Sequence, residues 1–409
     1  MMLSIFSKGS QPRRTLLFGS AMHIWSDLFF ALTVPLLPLI KEDMDLSFKE
    51  VGLLRSMFGG ASAVLQIPAG FLAETTGEFW LLVLGNGWVA AGLVGMAFSP
   101  VFVVLVIVAF AGALGGGAQH PLASSMVSRA YDTGGRSTAV GTVNFAGDLG
   151  KMAAPAVAGA IAVSYGWRPA LWVIGAAGMV FMALTAMARR SVDIGKPGQS
   201  ESSADFSQEE RDTQRGGFLS LSGIGFLDSA TRGGALVFLP FVMQDKGMGL
   251  GQISALLVLL FAGGAAGKFV CGWLGDRYGS VPLIWGTKGL TALLLVLSLP
   301  APAWAMAPLL VALGAGLNGT SSVLYATVAE FVPARRRARL YGVFYTTNEG
   351  ATVLAPILYG IIADLYSLDT TLVVMGIATV AILPASLTLL RYLDRGISAS
   401  QVSGPRRRG

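Results

Sequence analysis

Long runs of apolar residues constrain this chain more than any other feature of its sequence. A helix needs roughly 20 mostly apolar residues to cross the hydrocarbon core of a bilayer. Twelve segments meet that requirement: 15–40, 48–73, 79–98, 101–128, 138–163, 168–188, 217–243, 252–274, 281–299, 303–330, 339–363 and 369–392. Only 13% of the 409 residues are charged and 53% are hydrophobic, which is too little polar surface for a water-soluble fold of this length. We therefore predict an all-α membrane protein with twelve transmembrane helices.

A polar segment separates the twelve apolar segments into two sets of six. Residues 189–216 hold 11 charged residues in 28 positions, with Ser, Gln and Gly between them. Such a composition is typical of a solvated linker, because it offers little apolar surface to bury. We predict an N-terminal six-helix bundle at 1–188, a cytoplasmic linker at 189–216 and a C-terminal six-helix bundle at 217–409.

The two halves of the sequence also repeat. A shift of 201 residues superimposes several polar or helix-bending positions. The pairs are Asp27 with Asp228, Asp148 with Glu349, and Pro155 with Pro356. Carboxylates that match at membrane depth in two separate helices indicate a duplicated six-helix unit, a construction common among secondary transporters. We predict two pseudo-symmetric halves.

The distribution of basic residues predicts the orientation. Of the 29 Lys and Arg residues, 20 lie in segments on the side of the termini and linker, and 4 lie on the other side. Because basic residues accumulate in cytoplasmic loops, both termini and the linker are expected in the cytoplasm, across a bacterial inner membrane. The net charge of +6 is then a mark of orientation, and we expect no nucleic-acid partner. The apolar stretch after the basic start is too long for a signal peptide.

Ionisable residues inside the predicted spans are the candidates for function. Such side chains are costly in a bilayer, so they usually face a wet cavity or a partner. The candidates for proton coupling are His23, Asp27, Asp148, Asp228 and Glu349. Each has a carboxylate or imidazole whose protonation can change with exposure. The pairs His23/Asp27, Asp228/Arg232 and Asp148/Lys151 have i,i+4 or i,i+3 spacing and share a helix face. A structural role for these pairs is the open alternative.

Basic residues in the spans predict the charge of a substrate. The candidates for substrate binding are Arg55, His120, Lys151, Arg232 and Lys268. Arg and Lys at these positions favour a small anionic or zwitterionic molecule. Arg55 and Lys268 could instead lie near helix ends or merely balance the acids, and His120 could bond a backbone carbonyl freed by Pro121. We expect Asp228 to hold Arg232, and Lys288 to reach towards water at a helix end.

A glycine-bounded motif lies between predicted helices 8 and 9. It reads Gly272-Trp-Leu-Gly-Asp276-Arg277-Tyr-Gly279, and the first half has Gly70-Phe-Leu-Ala-Glu74-Thr-Thr-Gly77. With this motif and twelve spans in two repeated halves, nearly the whole chain resembles members of the major facilitator superfamily. The candidate gating residues are Gly70, Glu74, Gly272, Asp276, Arg277 and Gly279. Because the first copy lacks the Arg, the second copy is expected to form the stronger cytoplasmic network.

Two further stretches are similar to the fosmidomycin-resistance-type efflux group. They are His23-Ile-Trp-Ser-Asp27 in helix 1 and Gly115-Gly-Gly-Ala-Gln-His120-Pro121 in helix 4. Leu122 stands where that group often has a carboxylate. The resemblance implies alternating access, usually driven by protons, with efflux of antibiotics or other small molecules. A proton-coupled importer of an anionic metabolite is the alternative within transport.

Other classes of function fit the sequence poorly. An enzyme would need a catalytic constellation such as Ser-His-Asp or HExxH, and no believable spacing is present. A sensor would need an added signalling domain. We expect no disulfide, metal cluster or cofactor, because the sequence has one cysteine and two histidines. The expected partners are therefore a small molecule, protons and the bilayer, and the protein is expected to be a monomer.

Overall fold

The computed structural model describes residues 11–131, 135–189, 215–331 and 337–402, except for a few side chains within those ranges. The predicted linker falls almost wholly outside the described residues, so its boundaries and the division into domains stay predictions. All the secondary structure in the described ranges is helical.

Six helical rods make up the first half. Two of them are interrupted by a 3-10 turn, and each of these keeps one number here. The rods are α1 (Gln11–Leu32 and Leu37–Asp43), α2 (Phe48–Thr76), α3 (Glu78–Ala97), α4 (Phe102–Ala113 and Gln119–Ala130), α5 (Arg136–Tyr165) and α6 (Trp167–Met187). The 3-10 turns lie at Val34–Leu36 in α1, beside Pro35 and Pro38, and at Leu114–Ala118 in α4, within the glycine run.

Six more rods make up the second half. They are α7 (Arg215–Asp245), α8 (Leu250–Tyr278), α9 (Ser280–Leu297), α10 (Met306–Phe331), α11 (Arg337–Leu365) and α12 (Leu368–Val380 and Ile382–Val402). Nine of the twelve rods are long and apolar enough to cross a membrane. The other three, α2, α5 and α11, fall short of that apolar composition over their described residues. The predicted fold of twelve helices is confirmed.

The same packing pattern appears in both halves. In the first half α1 packs on α5, α2 on α4, and α3 on α6. In the second half α7 packs on α11, α8 on α10, and α9 on α12. Two contacts then join the halves, α2 with α11 and α5 with α8. The repeat inferred from the sequence is therefore a repeat of packing, and α5 and α8 form one seam between the halves.

Short glycine turns connect helices at matching places in the two halves. Gly77 ends α2 with φ +78°, and Gly279 ends α8 with φ +83°. A left-handed backbone of this kind favours glycine, because any side chain there would be strained. The last glycine of each copy of the motif is thus required by the sharp reversal into the next helix.

The halves meet closely at the end of the molecule opposite the predicted linker, which we call the far end. Phe48 at the start of α2 packs on the rings of Phe238 and Phe241 in α7, with centroids 6.2 Å and 5.2 Å away. Gln244 of α7 donates a hydrogen bond to Glu42 of α1. Apolar and polar contacts together close this end.

Candidate functional site

A charged cluster surrounds Asp27 near the middle of α1. The Asp27 carboxylate is buried, and Lys151 of α5 places its Nζ atom 3.0 Å from Oδ2. His23, one turn earlier on α1, lies 3.6 Å from the same oxygen through Nε2. The i,i+4 proximity predicted for His23 and Asp27 is confirmed. A carboxylate this deep in the protein is stable because it has a cation beside it.

The cluster continues across the seam between the halves. Asp148 of α5 accepts hydrogen bonds from Lys268 of α8, with Nζ at 2.7 Å and 2.8 Å from its two oxygens. Lys151 lies 3.5 Å from the same Asp148, as its i,i+3 spacing predicted. Asp148 is therefore shared between a lysine of its own helix and a lysine of the other half. The sequence predicted each of these residues but could not pair Asp148 with Lys268.

A glycine lets α1 approach α5 at this point. A Cβ atom at Gly147 would lie 2.4 Å from Asp27 Oδ2 and 2.8 Å from His23 Nε2. A Cβ atom does not approach non-bonded heavy atoms that closely, so only glycine fits at this position in the packed site. Gly147 thus permits α1 to lie close to α5 beside Asp27 and His23, and sequence reasoning did not identify it as a site residue.

His120 reaches the cluster from α4. Its Nε2 atom lies 3.9 Å from Asp27 Oδ1, and its ring meets the His23 ring edge to face at 4.9 Å. The His120 side chain is 55% exposed, whereas that of His23 is almost fully buried. His120 is the second residue of the helical segment Gln119–Ala130, which follows the 3-10 turn Leu114–Ala118. The prediction that His120 lies at the polar site, not merely against the backbone, agrees with this placement.

A third cation faces the same region from the second half. Arg232 of α7 is close enough to Lys151 and Lys268 to interact with both electrostatically. Its guanidinium donates a hydrogen bond to Ser229 Oγ at 3.2 Å. Three basic side chains, those of Lys151, Lys268 and Arg232, therefore face two carboxylates, those of Asp27 and Asp148, when the histidines are left out of the count.

Arg55 and Glu349 form a separate pair of opposite charges between α2 and α11. Glu349 is the charged residue that interacts most with Arg55, and Thr352 donates a hydrogen bond to the Glu349 carboxylate at 3.3 Å. Both charged side chains are half-buried. Arg55 therefore lies beside an acid of the other half. This position agrees with the alternative that Arg55 balances an acid.

The structure corrects the expected partner of Asp228. Asp228 forms a buried ion pair with Lys288 of α9, not with Arg232. Lys288 also donates a hydrogen bond to the Gly316 carbonyl at 3.1 Å, and it is 1% exposed. The expectation that Lys288 reaches towards water is wrong, because an acid on α7 and a carbonyl on α10 satisfy its charge inside the bundle. The role of Asp228 in proton coupling stays a prediction.

The predicted gating motifs are only partly described. Gly70 lies in α2, and the side chains of Glu74 and Asp276 lie outside what the structure describes. Gly272 lies in α8, and Gly279 provides the turn given above. Arg277 is exposed and lies over the rings of Trp273 and Tyr278, with 5.9 Å and 5.7 Å to the centroids. The gating network stays a prediction.

One residue that joins the halves was missed by the sequence analysis. The Asp364 carboxylate of α11 accepts hydrogen bonds from the backbone N–H groups of Phe48 and Lys49, with both N···O distances 2.8 Å. Its two oxygens thus bond the first turn of α2, where the helix dipole favours a negative charge. The acid near the end of a predicted span was visible in the sequence, but its partner belongs to the other half.

Fold and site together define a multi-pass helical membrane protein whose two bundles share one cluster of charged residues. The family model described as "Major Facilitator Superfamily" matches residues 19–218 and 221–407. The chain belongs to this superfamily. It is a transporter and not an enzyme.

Relatives of known description have low but extended similarity to the chain. The "Fosmidomycin resistance protein" of Escherichia coli is 24% identical over 356 residues, which is 86% of each chain. The "Probable sulfoacetate transporter SauU" of Cupriavidus necator is 28% identical over 257 residues, 59% of each chain. A solved bacterial homologue of the human lysosomal transporter Spinster, described as inward-facing and unoccupied, has a TM-score of 0.78 at 18% identity. That match covers 94% of this chain and 99% of the homologue.

Proposed function

We propose that this protein is a secondary active transporter that works by alternating access and exports a small anionic or zwitterionic compound in exchange for protons. A drug-like or phosphonate-like molecule fits this class. The relatives are named for fosmidomycin resistance and for probable sulfoacetate transport, and both names support a small-molecule substrate with an acidic group.

The observation that carries the proposal is the ion pair between Asp148 and Lys268 at the seam. Lys268 has two hydrogen bonds to one carboxylate of the other half. A substrate anion that binds Lys268 and Lys151 competes with Asp148 for them. Asp148 then loses the two cations beside it, and a proton can neutralise its carboxylate in their place. Substrate binding and protonation of Asp148 are therefore linked at one place, which is what coupling requires. That substrate and proton move in opposite directions is proposed from the relative named for fosmidomycin resistance.

The remaining predicted residues have defined places in this proposal. Arg232 adds a planar guanidinium that can bind a carboxylate or phosphonate with two hydrogen bonds. Arg55 and His120 are further candidates for contact with the substrate. His23, Asp27, Asp228 and Glu349 stay candidates for coupling. Both termini and the linker are proposed to lie in the cytoplasm, and the protein is proposed to act as a monomer in the inner membrane.

Purified protein in liposomes with an imposed pH gradient tests the function. Organic anions, phosphonates and cationic drugs are each added, and proton movement is followed with an enclosed pH-sensitive dye. Substrate-dependent proton movement opposite to the substrate supports export by exchange. Movement of protons together with the substrate would replace export with the import alternative. A response to cationic drugs alone would overturn the anionic substrate class.

The Asp148→Asn variant tests the coupling step. The amide keeps the size of the side chain but cannot release a proton, so gradient-driven accumulation should be lost while substrate exchange continues. Asn144→Ala, one turn away on the exposed face of α5, is the control and should behave as the wild type. Gradient-driven accumulation at the wild-type level in Asp148→Asn would remove Asp148 from the mechanism.

A further inference from the structure

Both histidines of the chain lie at one carboxylate. The sequence has two histidines, one on α1 and one on α4, and their ring centroids are 4.9 Å apart. The Nε2 atoms of His23 and His120 lie 3.6 Å and 3.9 Å from the two oxygens of Asp27. Two imidazoles and one carboxylate are a frequent ligand set for zinc when a fourth position stays open.

The ligand atoms are close to the spacing that such an ion needs. One atom from each of the three side chains lies within 4.8 Å of the others. In a tetrahedral zinc site with bonds of about 2.0–2.1 Å, ligand atoms lie about 3.3 Å apart, so the longest separation must shorten by about 1.5 Å. His120 can make most of that movement, because its side chain is more than half exposed, while His23 and Asp27 are held in the bundle.

We propose that His23, Asp27 and His120 bind one divalent transition-metal ion of the zinc class, with water or an anion as the fourth ligand. Imidazole suits zinc, copper and nickel, whereas magnesium and calcium prefer oxygen ligands alone. The count of Cys and His predicted no metal site. The structure supplies the missing third ligand, because α4 brings His120 to a carboxylate of α1.

Lys151 makes the proposal specific. Its Nζ atom lies 3.0 Å from Asp27, so the ion and the lysine compete for one carboxylate. Lys151 has a second acid within reach, since Asp148 is 3.5 Å away. Binding of the ion should therefore shift Lys151 towards Asp148. Removal of the Lys151 charge should strengthen metal binding, an effect that nonspecific surface binding would not show.

Direct metal binding to the full-length protein in detergent tests this inference. Zn²⁺ is titrated by calorimetry and Co²⁺ by its visible absorption, with protein that carries no polyhistidine tag. All samples carry Cys271→Ser, which removes the one thiol of the chain. We expect one ion per chain. His120→Gln should weaken binding at least about tenfold, whereas Ser124→Ala, one turn further along α4, should leave it unchanged.

The Lys151→Gln variant should change the metal affinity in the opposite direction. It should bind the ion several-fold more tightly than the parent protein, and each variant is compared only after gel filtration shows the same monodisperse peak. Absence of saturable binding of both ions would overturn the proposal. So would an affinity that His120→Gln does not weaken or that Lys151→Gln does not raise. None of these measurements depends on transport.

Discussion

At the scale of single residues, close approach and burial decide the properties of the site. The buried carboxylates of Asp27 and Asp148 each have a cation in contact, Lys151 and Lys268 respectively. Neither i,i+4 nor i,i+3 spacing supplies the shortest of these contacts. A small residue, Gly147, permits one of them. Substitutions that add volume or remove one partner should therefore have larger effects than their chemistry alone suggests.

Gly147→Ala should destabilise the protein and impair transport, because the new methyl group would overlap Asp27 and His23 and push α1 from α5. Overpacking of this kind typically costs about 1–3 kcal/mol. Thermal unfolding in detergent and transport in liposomes measure the two effects. Gly141→Ala on the same helix is the control, since its Cβ would meet nothing within 4 Å. Equal melting temperatures for the two variants would contradict the steric argument.

Asp228→Asn should destabilise the second half strongly, because it leaves Lys288 buried without its counter-charge. Loss of one partner of a buried ion pair typically costs about 3–5 kcal/mol. The double variant Asp228→Leu with Lys288→Met replaces both charges by apolar groups of similar shape and should recover much of the stability. Thermal unfolding of the single and double variants measures this. A double variant no more stable than the single one would argue against a structural pair.

At the scale of elements, the far end closes through one helix terminus. Ser47 begins α2 as its N-cap, and Glu50 completes the capping box. Asp364 of α11 then bonds two further N–H groups of the same turn. A shift by 201 matches Asp364 with Val163 of α5, which lies near the start of α8: a Cβ atom at Gly251 would stand 3.7 Å from it. Because the Val163 side chain is apolar, it cannot make at α8 the hydrogen bonds that Asp364 makes at α2.

Asp364→Ala should open the far end more often, because it removes two hydrogen bonds and a charge that favours the helix dipole. Spin labels are attached to cysteines that replace Tyr165 and Tyr366, both exposed at that end, in a Cys271→Ser background. Double electron–electron resonance then measures the distance between the halves. The distribution should gain a longer component. Asp369→Ala, at the same end but within α12, should not produce it; the same distribution in Asp364→Ala and wild type would count against the contact as a lock.

At the scale of the whole molecule, the polar helices lie where the halves meet. Of the three rods that fall short of the apolar composition of a span, α2 and α11 pack on each other and α5 packs on α8. Two oppositely charged pairs lie at these contacts: Arg55 with Glu349, and Asp148 with Lys268. Long apolar helices such as α3, α6 and α9 keep many large hydrophobic side chains exposed, Leu84 and Trp88 among them, as expected for surfaces in contact with lipid.

The asymmetry of basic residues predicts how this molecule lies in the membrane. A cysteine at Ser203, in the predicted linker, should be reached by an impermeant maleimide only after the cells are opened. A cysteine at Trp304, which is 82% exposed between α9 and α10, should be labelled in intact cells. The reverse pattern would invert the orientation. Both variants carry Cys271→Ser, so that the native thiol gives no background.

The sequence by itself determined the number and type of helices, their grouping into two repeated halves and the residues of the charged cluster. These follow from chain-local quantities: hydropathy over about 20 residues, the repeat in the sequence, and the cost of charges in a bilayer. Helical spacing also predicted that His23 lies near Asp27 and Asp148 near Lys151. Only the tertiary structure decided the long-range partners. Lys268 lies beside Asp148, Lys288 beside Asp228 and Asp364 at α2, because helices distant in sequence are brought together by packing, which no local pattern encodes.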